Sequence, residues 1–164
     1  MIRMQLLGVR VEIPSNQPIV LLREVDGERS LPIFIGNPEA TAIVHAMQGI
    51  DPPRPMTHDL LKRVLDDQSV VVRRIDITDL QDRTFFAEVE LDRDGKVSRI
   101  DARPSDAIAL AVRFGAENVP IFADESVMAE AGVVISEQEP EHSAEEQVEQ
   151  FRTFLEQVSP EDFA

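Results

Sequence analysis

Apolar and polar residues alternate along much of the chain, and this period of two predicts strands over residues 2–13 and 18–24, with Pro14 to Gln17 as the turn between them. The runs "IVLLREV" (19–25) and "SLPIFI" (30–35) flank Asp26-Gly27, which predicts a hairpin because Asp-Gly accepts the positive φ of a tight turn. Three more strands follow as "SVVVRRIDI" (69–77), "TFFAEVEL" (84–91) and "KVSRIDA" (96–102), the last two joined around Asp94-Gly95. Their alternation predicts a sheet with one covered face. "VPIF" (119–122) and "VVI" (133–135) read as short closing strands.

Between the strands the period lengthens. In "GNPEATAIVHAMQGI" (36–50), Asn37 can cap a helix, Pro38 fits its first turn, and Ala40, Ile43, Val44 and Met47 form one apolar stripe that Gly49 ends. After the stiff loop "DPPRP", Thr57 is the expected cap of a second helix over 58–67, with Leu60, Leu61, Val64 and Leu65 facing inward. A third helix spans 105–114, capped by Ser105 and stopped by Gly115, and is apolar enough to require burial on most sides. A fourth covers 124–131 and ends at Gly132. The expected fold is therefore α+β: a compact mixed or antiparallel sheet with β-hairpins and about four packed helices.

"SEQEPEH" (136–142) has the composition of a linker. Beyond it, Ser143 and Glu146 form a capping box, Val148, Phe151, Leu155 and Val158 repeat on one face, and Pro160 stops the pattern. This predicts a C-terminal amphipathic helix, docked on its own domain or across a dimer. The expected division is a domain at 1–136 and an acidic linker with helix at 137–164.

Composition narrows the classes. The chain has 164 residues, which suits one domain with a real core. No apolar run approaches the ~20 residues of a membrane span, and "MIRMQLLGVRVEIP" lacks the apolar block of a signal peptide. A cytoplasmic protein with no membrane partner is expected. The absence of cysteine excludes thiolate chemistry and Cys-based zinc sites. The net charge of −15 argues against a simple grip on nucleic-acid phosphates, although residues 137–164 supply −8 of it. The rest can still carry a local basic patch from Arg3, Arg10, Arg54, Lys62, Arg63, Arg73, Arg74 and Arg103.

No P-loop, G-x-S-x-G elbow or H-E-x-x-H motif is present. What remains is three polar helix entrances: Gly36, Asn37 and Glu39; Thr57, His58 and Asp59; Arg103, Ser105 and Asp106. Free amides at such an entrance can hold a phosphate with help from Arg103 and Ser105. Asp101, Asp106, Asp59 and Glu39 are the candidate ligands for a divalent cation such as magnesium or manganese, and His58 can serve as general base or ligand. Each has a structural alternative, since acids in a first turn complement the helix dipole and Ser105 and Thr57 make ordinary caps. His45 reads as a satisfied core histidine and His142 as solvated. Phe85, Phe86, Phe114 and Phe122 fit core spacing better than a base-stacking platform.

Four segments, "LPIFIGNPEATAI" (31–43), "RPMTHDLL" (54–61), "IDARPSDAIALAVR" (100–113) and "VPIFADESVM" (119–128), resemble the signature blocks of the bifunctional nuclease family. The resemblance covers roughly residues 1–136. It implies a compact α+β fold assembling as a homodimer or larger homo-oligomer, and a hydrolase active as DNase and RNase. Carried onto this sequence, it marks Glu39, His58, Asp59, Asp101, Arg103, Ser105 and Asp106 as site candidates. Chemistry assigns His58, Asp59 and Asp106 to catalysis and Arg103 and Ser105 to substrate binding. Two functions compete: metal-assisted phosphodiester hydrolysis on DNA and RNA, or a non-catalytic oligomeric binding or regulatory module that keeps the fold.

Overall fold

The computed structural model describes residues 1–135, so the C-terminal helix expected from sequence lies outside the described residues. In chain order the elements are β1 (Ile2–Glu12), β2 (Gln17–Glu24), β3 (Arg29–Phe34), α1 (Asn37–Met47), α2 (Thr57–Asp67), β4 (Val71–Gln81), β5 (Thr84–Arg93), β6 (Lys96–Ala102), α3 (Pro104–Phe114), β7 (Ile121–Ala123), α4 (Glu125–Ala131) and β8 (Val133–Val134). The eight strands of the described residues form one sheet in the order β6-β5-β4-β7-β1-β2-β3-β8. Only β4 and β7 run parallel, with Ile75 opposite Ile121 and Ile77 opposite Ala123, so the sheet is mixed.

Side-chain alternation explains the layering. On one face of the sheet Ile75, Ile77, Ala87, Val89, Ile121 and Leu22 are buried, and they join Ile108, Ala111 and Val127 of the helices in a single core. The apolar α3 fills the centre of that layer, with Pro104, Ser105 and Ala107 to Ala111 all buried. It packs on β4 and β5 below and on α1 and α2 at its flanks. Arg29 then ties the sheet edge to α4, bonding Glu24 at 2.9 Å and Glu125 at 2.9 Å.

The turns divide into two kinds. At Asp94 and Gly95 both φ are positive, 54° and 81°, as the sequence requires of a two-residue hairpin. At Asp26-Gly27 neither residue has positive φ, which corrects the expected tight turn. There the loop is held by Glu24, whose carboxylate accepts from the Arg29 backbone N–H and side chain. A third hairpin, at Asp82 and Arg83 with φ of 48° and 65°, carries no glycine and extends β4 beyond its expected end at 77.

In each of the first three helices the N-cap lies ahead of the expected capping residue, by one position in α1 and α2 and by two in α3. Gly36, Met56 and Arg103 occupy the N-cap positions, which puts Asn37, Thr57 and Pro104 inside the first turn and Ser105 at its second residue. The greater correction concerns α2, which buries none of its residues. Leu60, Leu61 and Val64, expected inward, are 55%, 43% and 49% exposed, and only Leu65 reaches the core margin.

Polar contacts therefore hold α2 in place. Arg113 Nε donates to Asp59 Oδ1 at 2.6 Å, His58 Nε2 lies 2.9 Å from Asp106 Oδ1, and Lys62 Nζ sits 4.6 Å from the centre of the Phe114 ring. Asp59→Ala should lower the unfolding free energy by about 3 kcal/mol, because it strands the largely buried Arg113 charge. Arg103→Ala, at a side chain 65% exposed, should cost less than about 1 kcal/mol. Urea denaturation of the two variants measures the contrast.

The outward face of β4 holds Asp76, 1% exposed, with Oδ2 bonded to Arg74 at 3.0 Å and Oδ1 buried without a partner. Burial raises its pKa, and the attraction of Arg74 and Arg99 offsets this only in part, Glu90 opposing them. A raised carboxylate binds protons more readily folded than unfolded, so it subtracts stability as pH climbs from its unfolded value through its folded one. Asp76→Asn should accordingly gain stability relative to the wild type between pH 4 and pH 7, read by denaturation at the two pH values.

Candidate functional site

Among the described residues, three of the four helices point their first turns at one place. Glu39, Asp59 and Asp106 each stand third in their helix, where a carboxylate faces the positive end of the helix dipole. Asp59 uses the position locally, accepting the Met56 backbone N–H at 2.8 Å with Oδ2 while Oδ1 takes Arg113. The others serve a network between helices. Arg103, at the N-cap of α3, donates from Nε to Asp106 Oδ2 at 2.7 Å and reaches Glu39 of α1 with a terminal nitrogen at 2.9 Å. Asp106 in turn holds His58 of α2.

The result is a chain of charges, Glu39 to Arg103 to Asp106 to His58, that links α1, α3 and α2. Desolvation pushes the Asp106 carboxyl up, but the hydrogen bonds from Arg103 and His58 outweigh it and leave the pKa below the usual carboxylate value. Asp59 follows the same pattern, with burial opposed by Arg113 and the Met56 amide and a lowered net value. Its hydrogen bond to Asp106 raises Arg103 further. Asp106 and Asp59 are thus ionised at neutral pH, and the His58 side chain, 13% exposed, is fixed at one ring nitrogen.

The structure brings together Glu39, His58, Arg103 and Asp106, with Asp59 adjacent through α2. It does not bring in Asp101, which lies exposed on β6 opposite Glu88 of β5. Ser105 sits beneath the cluster with its side chain buried in the α3 entrance, 7% exposed. For a divalent cation the fit is poor in this arrangement, because the carboxylate oxygens that would have to face the ion are turned to other partners. Here Glu39 and Asp106 converge on the Arg103 guanidinium instead, and no group of three His, Asp or Glu among the described residues is placed to hold a metal.

Arg113 is the participant that sequence reasoning passed over. It lies in the last turn of α3, where a basic residue is expected merely to complement the helix dipole. In fact it is 8% exposed at its side chain and binds both Asp59 and, at 2.7 Å, the Ala109 carbonyl of its own helix. The signal available was the one charge that α3 carries beyond its first turn, in an otherwise apolar stretch. A concave cavity of about 240 Å³ opens beside it, walled by α1, the 49–52 loop, α2 and the end of α3. His45, expected in the core, is half-buried at the wall of this cavity.

No helix among the described residues is long and apolar enough to cross a membrane. Residues 20–136 match the family model described as the bifunctional nuclease domain. The chain is 46% identical over 163 residues to an uncharacterized protein of Mycobacterium tuberculosis, covering 97% of this chain and 96% of that one. It is 30% identical over 130 residues to Bifunctional nuclease 2 of Oryza sativa, 77% of this chain and 39% of the rice protein. Bifunctional nuclease 1 of Arabidopsis thaliana is 30% identical over 103 residues, 60% of this chain and 32% of its own length. On the match of its whole helical junction and most of its sheet, the chain belongs to the bifunctional nuclease domain family.

Proposed function

We propose that the chain hydrolyses phosphodiester bonds of DNA and RNA at the junction of α1, α2 and α3, with His58 moving the proton, Asp106 orienting its ring and Arg103 meeting the phosphate. The observation that carries this reading is the 2.9 Å contact between His58 Nε2 and Asp106 Oδ1. A carboxylate holding one imidazole nitrogen fixes the tautomer and leaves the other nitrogen to exchange a proton with an attacking water. Arg103 has the exposure needed to exchange Glu39 for an incoming phosphate, and its planar fork suits that geometry. Asp59 acts through α2, keeping His58 in register with α3. Ser105 contributes its place in the first turn of α3, since its side chain is buried.

This arrangement needs no step through a metal. Purified protein should cleave single-stranded DNA and RNA in the presence of EDTA. His58→Ala should reduce the rate by about 10²- to 10⁴-fold, the usual worth of a positioned acid-base group, in a protein that still folds and melts no more than about 5 °C lower. Asp106→Asn should lose activity in parallel. Loss of cleavage in EDTA would instead assign Glu39 and Asp106 to a cation after Arg103 swings away.

One observation favours the alternative of a non-catalytic, oligomeric binding or regulatory module. Arg103, Arg113 and His58 are all already committed to carboxylates, as in a latch between helices. Cleavage that persists undiminished through both His58→Ala and Asp106→Asn would mark it as contamination and favour the module.

A further inference from the structure

We infer that the cavity beside Arg113 is a nucleobase pocket. The inference rests on the nuclease reading only for its relevance to catalysis; the binding itself is a separate claim. At about 240 Å³ the cavity is smaller than the ~300 Å³ at which sites for drug-sized ligands begin, which restricts it to a single small ring system. Ala42, Ala46, Ile50, Pro52, Met56 and Val112 give it apolar walls, suited to the faces of a flat heterocycle.

Its polar groups select a neutral ligand with hydrogen-bonding edges over an anion. Arg113 is balanced by Asp59 at 2.6 Å, and Asp51 at the rim is a second carboxylate against His45 of the wall, so even with the imidazole charged the cavity has no surplus positive charge for a phosphate. The guanidinium nevertheless keeps a donor. Nε serves Asp59 and Nη1 serves the Ala109 carbonyl, while Nη2 has no hydrogen-bond acceptor among the described residues. A rigidly held donor of this kind matches a base carbonyl or ring nitrogen, and Asp51 can accept from an exocyclic amine.

Position supports the assignment. Asp106 and Arg113 are seven residues apart on α3, about 10 Å along the helix axis. Consecutive residues of α2, His58 and Asp59, touch these two ends. A nucleotide with its phosphate at Arg103 would therefore have a receptacle for a neighbouring base on the same groove of α3. Such a pocket supplies binding of a substrate part remote from the reacting bond, without a stacking aromatic.

The test titrates guanosine, adenosine, cytidine and uridine, and separately inorganic phosphate, into the full-length protein while following methyl resonances of Ala42, Ala46 and Val112. At least one nucleoside should shift these signals and phosphate should not. Ala46→Phe, which fills the cavity, should abolish the shift. Arg113→Lys, which keeps the charge beside Asp59 but removes the free Nη2, should weaken binding roughly tenfold. His58→Ala should bind nucleoside like the wild type even if cleavage is lost. Shifts caused by phosphate alone, no shift with any nucleoside, or nucleoside binding unchanged in folded Ala46→Phe would each overturn the pocket. A chain that cleaves but binds no nucleoside refutes the pocket and keeps the nuclease; one that binds nucleoside but never cleaves does the reverse.

Discussion

The geometry of this molecule hinges on how α2 is attached to α3. Most helices in a small domain are positioned by burying an apolar stripe, whose contribution is large but tolerant of sliding and rotation. Helix α2 buries no residue, and its most apolar positions face outward. Its place is set by directional contacts, chiefly Asp59 on Arg113, with His58 on Asp106 beside it. Such contacts contribute less than a core but specify orientation closely, because a buried charge that loses its partner is costly. A helix held this way brings an imidazole to a fixed point at the entrance of α3, which apolar packing alone would not guarantee.

The same economy appears in the carboxylates. Glu39, Asp59 and Asp106 share the third helical position, a place acids occupy for purely local reasons. Because the three helices converge with their first turns, three local preferences sum to a concentrated negative charge that needs cations. Arg103 and Arg113, at the two ends of α3, supply them. Under the proposed function, the structural and chemical readings of this cluster would be the same contacts at two stages: the observed latch between helices, and an oriented histidine with an arginine free to exchange its carboxylate for a phosphate.

Much of this was legible in the sequence, and the misses follow a physical order. Strands with alternating burial, the Asp94-Gly95 turn and the buried α3 could all be read, since each depends on local period or backbone freedom. The inward face assigned to α2 could not be right without knowing that α3 would occupy the core and leave α2 outside it. An amphipathic pattern shows that a helix has an apolar side, not what covers it. Among the site candidates, Glu39, His58, Arg103 and Asp106 come together because each stands at a helix entrance, which is also why the sequence could single them out. Asp101 shares their neighbourhood in sequence, yet the turn of chain from β6 into α3 leaves it on the sheet. Arg113 was missed for the opposite reason, being at the far end of its helix and brought to Asp59 only by packing across 54 residues of chain.

The family match begins at residue 20, but the folding unit cannot. Strand β1 lies in the interior of the sheet, hydrogen-bonded to β2 over most of its length and to β7 through Ile2, Arg3 and Met4. Without it the order breaks into β6-β5-β4-β7 and β2-β3-β8, leaving two open edges where the core residues Leu22 and Ile121 now sit side by side with Met4 and Leu6. Exposed edges of this kind pair with other chains. The first strand is therefore part of what makes the helical junction possible: it joins the half of the sheet that carries α3 and β4 to the half from which α1 departs, and so fixes the distance over which Arg103 must reach Glu39.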